Sequence, residues 1–326
     1  MKKILVSASH FDTLCREAWN YLEESGYEII FDPKKEFPDC TTEELRARSD
    51  LGEIVGALIG LDDYHDEEKF RLLPGLKVIA KFGVGVDNID LDLCTKYGVK
   101  AVNAPGQNSN AVAELTIGMI IDLLRRVTSL HKAMTEGRWP RLIGSEIKGK
   151  TVGLLGFGAI AKLVAKMLTG FDCQVIAYDL YPDAEAAKEL GVTLTTWEEV
   201  VAASDIVSIH IPATAETYHM FNGETISSMK DGACLINCAR GALIDLDALA
   251  DALLSGKLAG AGLDAFEVEP LPADAKILNC ENLVLTPHTG AETAESYQRV
   301  SMTAAKDIVR VLNGEEPEHL VKSPGN

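Results

Sequence analysis

Residues 150–179, KTVGLLGFGAIAKLVAKMLTGFDCQVIAYD, constrain this chain more than any other stretch. The apolar run at 152–155 has the length of a buried strand. Gly156, Gly158 and Ala161 follow in G-x-G-x-x-A spacing. Ile160, Leu163, Val164, Met167 and Leu168 then recur at i, i+3, i+4, i+7 and i+8, one face of a helix that Gly170 is expected to end. Residues 174–178 read as a second apolar strand, with Asp179 at its end. The whole is a βαβ unit carrying a dinucleotide fingerprint in its expected context.

Each position has a physical task. Gly156 permits the tight turn from strand to helix. Gly158 lacks a side chain, so a pyrophosphate can approach the backbone and the helix start, where the N–H groups of Ala159 and Ile160 and the helix dipole favour an anion. Ala161 lets helix and strand pack closely. Asp179 can accept hydrogen bonds from both ribose hydroxyls, and its charge repels a 2′-phosphate. Leu180, Tyr181 and Pro182 bring no Arg to welcome that phosphate, so the cofactor reads as NAD rather than NADP. The alternatives are a glycine turn in an ordinary α/β protein and the nucleoside loop of a methyltransferase. Strand, helix, second strand and terminal acid together favour the dinucleotide.

At 326 residues the chain suits two domains, each with its own core. A net charge of −18 argues against nucleic acid and anionic membrane as partners, while leaving room for a local basic pocket and an anionic small molecule. Seven scattered Cys without a C-x-x-C pair read as reduced thiols of the cytosol, with no disulfide framework and no metal site. MKKILVSAS has too short an apolar run for a signal peptide, and no later stretch approaches a membrane span.

In chain order, 4–7, 27–31, 54–59, 77–81 and 99–103 read as strands, with one helix over 12–24 and another from Thr42 behind the Thr41/Glu44 capping box. The acidic run 61–69, LDDYHDEEK, reads as a solvated loop leading to a short helix. Two glycines in KFGVGVDNID, 81–90, read on spacing alone as a plain left-handed turn; the other reading is a ring of N–H groups for a carboxylate. NAPGQN feeds one long helix over 110–135, expected to cross between domains. Beyond Asp179, Thr196 and Glu199 have capping-box spacing. Strands at 205–211, 233–237, 260–263 and 283–285 end at His210 and Pro212, at Cys238-Ala239-Arg240, at Asp264 and at His288, and a final helix runs over 292–312. Alternating strands and helices imply parallel sheets, and open sheets of this kind bind ligands just past their strand ends.

Three of those strand-end residues suit one chemistry. Arg240 offers a fork of donors for a carboxylate. His288 can exchange a proton near neutral pH, and Glu269 in FEVEP could orient it. Singly, each also reads as a surface charge, a helix cap or a solvated acid, and spacing alone does not join them.

KFGVGVDNID, NAVAELTIG at 110–118, the fingerprint at 153–161, Ala239-Arg240-Gly241, DAFEVEP at 264–270 and TPHTG at 286–290 occur in an order and spacing that cover nearly the whole chain. In this it resembles the D-isomer-specific 2-hydroxyacid dehydrogenases, particularly the phosphoglycerate dehydrogenase-like and hydroxypyruvate/glyoxylate reductase-like branches. The resemblance implies two Rossmann-like α/β domains, doubly wound with mostly parallel sheets and the active site in the cleft: a discontinuous substrate domain, 1–103 plus 291–326, and an NAD-binding domain, 104–290. It implies a cytoplasmic homodimer built largely through the cofactor domain. It gives Arg240 the substrate carboxylate and carbonyl oxygen, His288 the acid/base role and Glu269 its support, with Glu267 two residues short of that position. Val84 and Gly85 would offer N–H groups to the carboxylate. Asp264 would meet the nicotinamide carboxamide beside Cys238, Ala239 and Arg240, with His210, Pro212, His288 and Gly290 also lining the cofactor.

The chain departs from the family's phosphoglycerate dehydrogenases after the strand at 54–59, where many carry an Arg and this sequence has Gly60-Leu61-Asp62-Asp63. A small uncharged 2-oxo acid, glyoxylate or hydroxypyruvate, is therefore expected, with 3-phosphoglycerate as the alternative substrate. The sequence to residue 326 shows no regulatory domain of the longer members, so serine feedback is not expected. An NAD-sensing corepressor of the same fold is the alternative outside the enzymes; nothing here resembles a DNA- or peptide-binding appendage. Formate dehydrogenases have Gln where Glu269 stands.

Overall fold

The apolar runs become strands buried on both faces, as parallel sheets covered by helices require. The computed structural model describes residues 1–34, 40–61 and 63–322; Asp62, one acid of the 61–69 run, lies outside the described residues. The chain divides into two units, 1–108 with 291–326, and 109–290.

The first unit runs β1 (Lys3–Ser7), α1 (Phe11–Leu14), α2 (Arg16–Glu24), β2 (Glu28–Ile30), α3 (Thr42–Arg46), β3 (Ile54–Ile59), α4 (Glu67–Leu72), β4 (Val78–Lys81), α5 (Leu91–Tyr97) and β5 (Lys100–Val102). The second holds α6 (Ser109–Arg125), α7 (Val127–Thr135), β6 (Thr151–Leu155), α8 (Ala159–Leu168), β7 (Gln174–Tyr178), α9 (Ala184–Glu189), β8 (Thr193–Leu194), α10 (Trp197–Ala203), β9 (Ile206–Ile209), α11 (Gly223–Ser228), β10 (Ala233–Asn237), α12 (Leu246–Leu254), β11 (Leu258–Leu263) and β12 (Leu283–Leu285). Helix α13 (Ala294–Leu312) returns to the first unit, where Tyr297, Ala304, Ala305 and Ile308 pack among Ile4, Val6 and Phe11.

In the first unit the sheet order is β2-β1-β3-β4-β5, all parallel. In the second it is β12-β11-β10-β9-β6-β7-β8, also all parallel. Both are doubly wound. The second unit reverses direction between β6 and β9, the switch point beside which such sheets hold ligands. One of its cores joins α6 and α8 to the sheet through Met119, Ile120, Val164 and Leu154; the other sets Val200, Ile226 and Leu249 against Leu235.

Several local expectations change. The helix of 12–24 breaks at Cys15, whose buried thiol donates to Tyr297 O at 3.7 Å and so ties the break to α13. The helix of 110–135 breaks at Arg126, which adopts a left-handed φ of 55°, while the Asp122 carboxylate accepts the Thr128 N–H at 2.8 Å and starts α7 afresh. All of α6 belongs to the second unit. Helix α8 stops at Leu168, ahead of Gly170, in a 3₁₀ turn over Thr169–Phe171. Thr196 caps α10, but Glu199 takes the Thr195 hydroxyl instead of closing a capping box.

The largest correction concerns 61–69. Asp63 is not solvated: it is fully buried, accepting from Ser7 Oγ at 2.5 Å and Lys69 Nζ at 2.6 Å. Burial raises its pKa, but His65 and Lys69 outweigh that and hold it down at about 2. The neighbouring loop is equally tied. Asn88 Nδ2 donates to Gly60 O at 2.9 Å and Asp63 O at 2.7 Å, and Lys81 Nζ donates to Gly60 O and Asn88 Oδ1, each at 2.8 Å. Within KFGVGVDNID, Gly83 takes the positive φ, 146°, that a glycine turn expects, and Lys81 and Asn88 anchor the loop around it.

Candidate active site

Register brings the predicted residues of the second unit into one row. Leu155 pairs with Tyr178 on one side and Ile209 on the other. Asn237 pairs with Ile209 and Leu263, and Leu263 pairs with Leu285. The strands therefore end level, and the next residues, Gly156, Asp179, His210, Cys238, Asp264 and Thr286, line their carboxyl ends.

At the β6 end Gly156 takes a φ of 88°, and a Cβ there would stand 2.6 Å from His210 O. Only glycine fits. Gly158, the N-cap of α8, differs: a Cβ there would meet nothing within 4 Å. Its open side suits a pyrophosphate before the N–H groups of Ala159 and Ile160. Ala161 is fully buried. A tight approach also lies at Gly153, where a Cβ would collide with Ser204 Oγ, just past α10, and fall 2.7 Å from Val200 Cγ1 on α10. Asp179 is oriented by the Phe157 N–H at 2.6 Å and the Tyr181 N–H at 2.8 Å, which aim its carboxylate and leave lone pairs for ribose hydroxyls. His210 turns Nε2 onto Ser208 Oγ at 2.9 Å; burial pushes its pKa down to about 4, so it is neutral at pH 7. Pro212 O accepts the Thr217 hydroxyl at 2.9 Å. The residues present fit a dinucleotide.

At the β10 end Cys238 lies against Met119, sulfur to sulfur 3.6 Å, and burial pushes its thiol up to about 12. Burial thus disfavours its reactive thiolate. Asn237, which sequence reasoning missed, shapes the turn: its Oδ1 accepts the Ala239 N–H at 3.0 Å and its Nδ2 donates to Arg240 O at 2.8 Å. An Asn closing an apolar strand was the available signal. Arg240 Nη1 donates to Ala239 O at 2.9 Å.

His288 Nδ1 meets Glu269 Oε2 at 2.8 Å and Oε1 at 3.1 Å, with 29% and 30% of the two side chains exposed. Spacing could not join them; the structure does. Burial favours neutral Glu269, but the His288 hydrogen bond, the Phe266 N–H and the charges of His288 and Arg240 outweigh it and hold the carboxyl below its ordinary 4.5. His288 has a left-handed φ of 55°. Asp264 enforces it: the carbonyl accepts the His288 N–H at 2.8 Å, Oδ1 accepts Thr289 N–H at 2.8 Å and Thr286 Oγ1 at 2.6 Å, and Oδ2 accepts Gly290 N–H at 2.8 Å. Asp264 and Gly290, expected at the cofactor, thus spend these groups on the loop that carries His288. Glu267 pairs with Tyr218 and His219 instead of His288.

Val84 and Gly85 belong to the first unit, at the carboxyl end of β4. Their N–H groups find no hydrogen-bond partner among the described residues. Among the described residues no helix is long and apolar enough to cross a membrane.

Comparison with known proteins agrees with this geometry. Residues 117–290 match the family model of the D-isomer specific 2-hydroxyacid dehydrogenase NAD binding domain. A glyoxylate reductase of Thermofilum pendens is 39% identical over 301 residues, 90% of this chain and 88% of that one. A D-3-phosphoglycerate dehydrogenase of Bacillus subtilis is 41% identical over 250 residues, 76% of this chain but 47% of that protein. The apo-structure of D-lactate dehydrogenase from Escherichia coli aligns with a TM-score of 0.87 at 30% identity, over 99% of this chain and 100% of that one. With the level row of strand ends, the dinucleotide turn and the His–Glu pair, these likenesses place the chain among the D-isomer specific 2-hydroxyacid dehydrogenases, as an NAD-dependent oxidoreductase.

Proposed function

We propose that the chain reduces a small, unphosphorylated 2-oxo acid, glyoxylate or hydroxypyruvate, to the D-2-hydroxy acid. The observation that carries the chemistry is the His288–Glu269 pair, 2.8 Å apart, on the same row of strand ends as Arg240. NADH, when bound, supplies the hydride. Glu269 accepts from His288 Nδ1, which leaves Nε2 to give a proton to the carbonyl oxygen in reduction and take it back in oxidation. Arg240 stabilises the charge developing on that oxygen and holds the carboxylate.

The substrate reading rests on the first unit. Lys69 serves Asp63, and Lys81 serves Gly60 and Asn88, so these two lysines are already engaged, which disfavours a phosphate beside them. The glyoxylate reductase likeness supports the same reading; the phosphoglycerate dehydrogenase likeness supports the alternative, oxidation of 3-phosphoglycerate. Initial rates with NADH and NADPH on glyoxylate, hydroxypyruvate, pyruvate, oxaloacetate and 3-phosphohydroxypyruvate test it. Turnover of a small acid with NADH is expected; turnover of 3-phosphohydroxypyruvate alone would overturn it.

We also infer a homodimer through the second unit, where Trp139 and Ile143 are 76% and 93% exposed in an irregular segment and Met134 stands exposed on α7. A monomer in sedimentation would refute this. Seven free thiols suit a cytoplasmic protein.

A further inference from the structure

We propose that His219 and Glu267, with Tyr218, are positioning residues that set Glu269 and Arg240 in register for the reaction, an inference that rests on the His288–Glu269 reading above. Residues 264–270 leave β11 without regular structure, yet they must deliver Glu269 to His288 within hydrogen-bond reach. Two contacts hold this loop. On one side the backbone of Phe266 and Glu267 lies against Gly241, the residue after Arg240, so closely that any Cβ there would collide with it. On the other side the Glu267 carboxylate is gripped twice. Oε1 accepts the Tyr218 hydroxyl at 2.8 Å, and Oε2 meets His219 Nε2 at 2.8 Å.

The gripping segment is itself built for the task. His219 stacks on Tyr218 with ring centroids 3.9 Å apart and planes at 13°. It holds a left-handed φ of 48°, a conformation non-glycine residues rarely keep unless their surroundings enforce it. Those surroundings are the turn after Arg240: the His219 N–H donates to Ala242 O at 2.8 Å, and the Phe221 N–H donates to Leu243 O at 3.0 Å. A closed circuit results. The Arg240 turn holds His219, His219 holds Glu267, and the Glu267 loop holds Glu269 through the Phe266 N–H, which donates to Glu269 Oε1 at 2.8 Å. Glu269 then meets His288. Asp245 is the other charge acting on Tyr218 and Glu267. Its own carboxylate caps α12 through the N–H groups of Asp247 and Ala248.

Exposure decides what this clamp supplies. The side chains of His219 and Glu267 are 30% and 41% exposed, so the pair adds little to stability. Geometry is more sensitive, because a misplacement of about 1 Å can cost on the order of 10²-fold in turnover.

The test uses the full chain with Glu267→Ala, His219→Phe and the conservative Glu267→Gln. Phe keeps the stack on Tyr218 and loses the hydrogen bond; Gln keeps an acceptor for the Tyr218 hydroxyl. We expect Glu267→Ala and His219→Phe to lose roughly 5- to 30-fold in kcat, with KM for NADH changed less than about 2-fold. The pH profile of kcat/KM should depart from that of the wild type, because a loosened Glu269 orients the imidazole less. Glu267→Gln should recover most of the rate. Unchanged kcat and pH profile in Glu267→Ala, whatever its thermal midpoint, would overturn the proposal. His288→Ala separates the two readings. If it retains turnover, the catalytic reading fails; if it is inactive while Glu267→Ala behaves as wild type, only the positioning role fails.

Discussion

Gly241→Ala puts the geometry of the catalytic loop to a quantitative test. An alanine Cβ at 241 would stand roughly 1.5 Å short of the 3.4 Å at which ordinary contact with the Phe266–Glu267 backbone begins. Backbone cannot swing aside as a long side chain can, so the loop itself must retreat. Overpacking of this kind costs about 1–3 kcal/mol of stability. The functional cost should be larger. Glu269 sits two residues beyond Glu267, and a comparable retreat takes its Oε2 from 2.8 Å of His288 Nδ1 out of hydrogen-bond range. Losing orientation and support of the imidazole should lower kcat by about 10- to 100-fold. NADH affinity should hold, because Gly156, Gly158 and Asp179 flank β6, α8 and β7, which the loop does not carry. The assay is kcat and KM by NADH absorbance, NADH binding by fluorescence, and thermal midpoint. Wild-type kcat would show that the loop's exact seat is immaterial. A loss of NADH affinity in step with kcat would show general disruption and refute the argument equally.

His288→Ala should lose about 10²- to 10⁴-fold in kcat while still binding NADH; near-wild-type turnover would remove it from the chemistry. Glu269 has its pKa depressed in the folded state, so it contributes stability above its ordinary 4.5 that is lost as pH falls through the lower folded value. The thermal midpoint of wild type over Glu269→Gln should therefore be greatest near neutral pH and shrink below about pH 4; a gap independent of pH would contradict the pairing. Gly156→Ala must place a Cβ 2.6 Å from His210 O at a φ of 88°, and should weaken NADH binding at least about 10-fold, which fluorescence titration reads. Cys238, with its thiol pushed up to about 12, should resist iodoacetamide at pH 7.5 while the protein stays folded; rapid alkylation with loss of activity would refute its inertness.

What could be read from the sequence was local in the chain or supplied by resemblance. The βαβ unit at 150–179 was legible because its turn, its helix face and its closing acid lie within thirty residues and each has a single physical use. Pairings across loops were not. Asp63 looks like one more solvated acid in LDDYHDEEK, and Ser7, the partner that buries it with Lys69, lies 56 residues away. Arg126 carries no breaker signal, yet Asp122 stops one helix and starts the next through Thr128. Glu267 and Glu269 share one motif, FEVEP, and only the folded loop separates their tasks: one holds His219, the other His288.

Asp264 shows why such tasks resist reading one residue at a time. A carboxylate 2% exposed is costly unless donors surround it, and here the donors are the hydroxyl of Thr286 and the N–H groups of Thr289 and Gly290. The His288 N–H goes to the carbonyl of the same residue. Three consecutive residues, 288–290, therefore turn their N–H groups onto Asp264. A non-glycine residue at a φ of 55° persists only where its surroundings over-determine it, and this convergence does so for His288. The buried carboxyl group at the end of β11 and the strained His288 backbone past the end of β12 are one device. The strands end level, so Asp264 reaches the adjacent loop, and the loop's cost in backbone strain is offset by hydrogen bonds the carboxylate must make in any case.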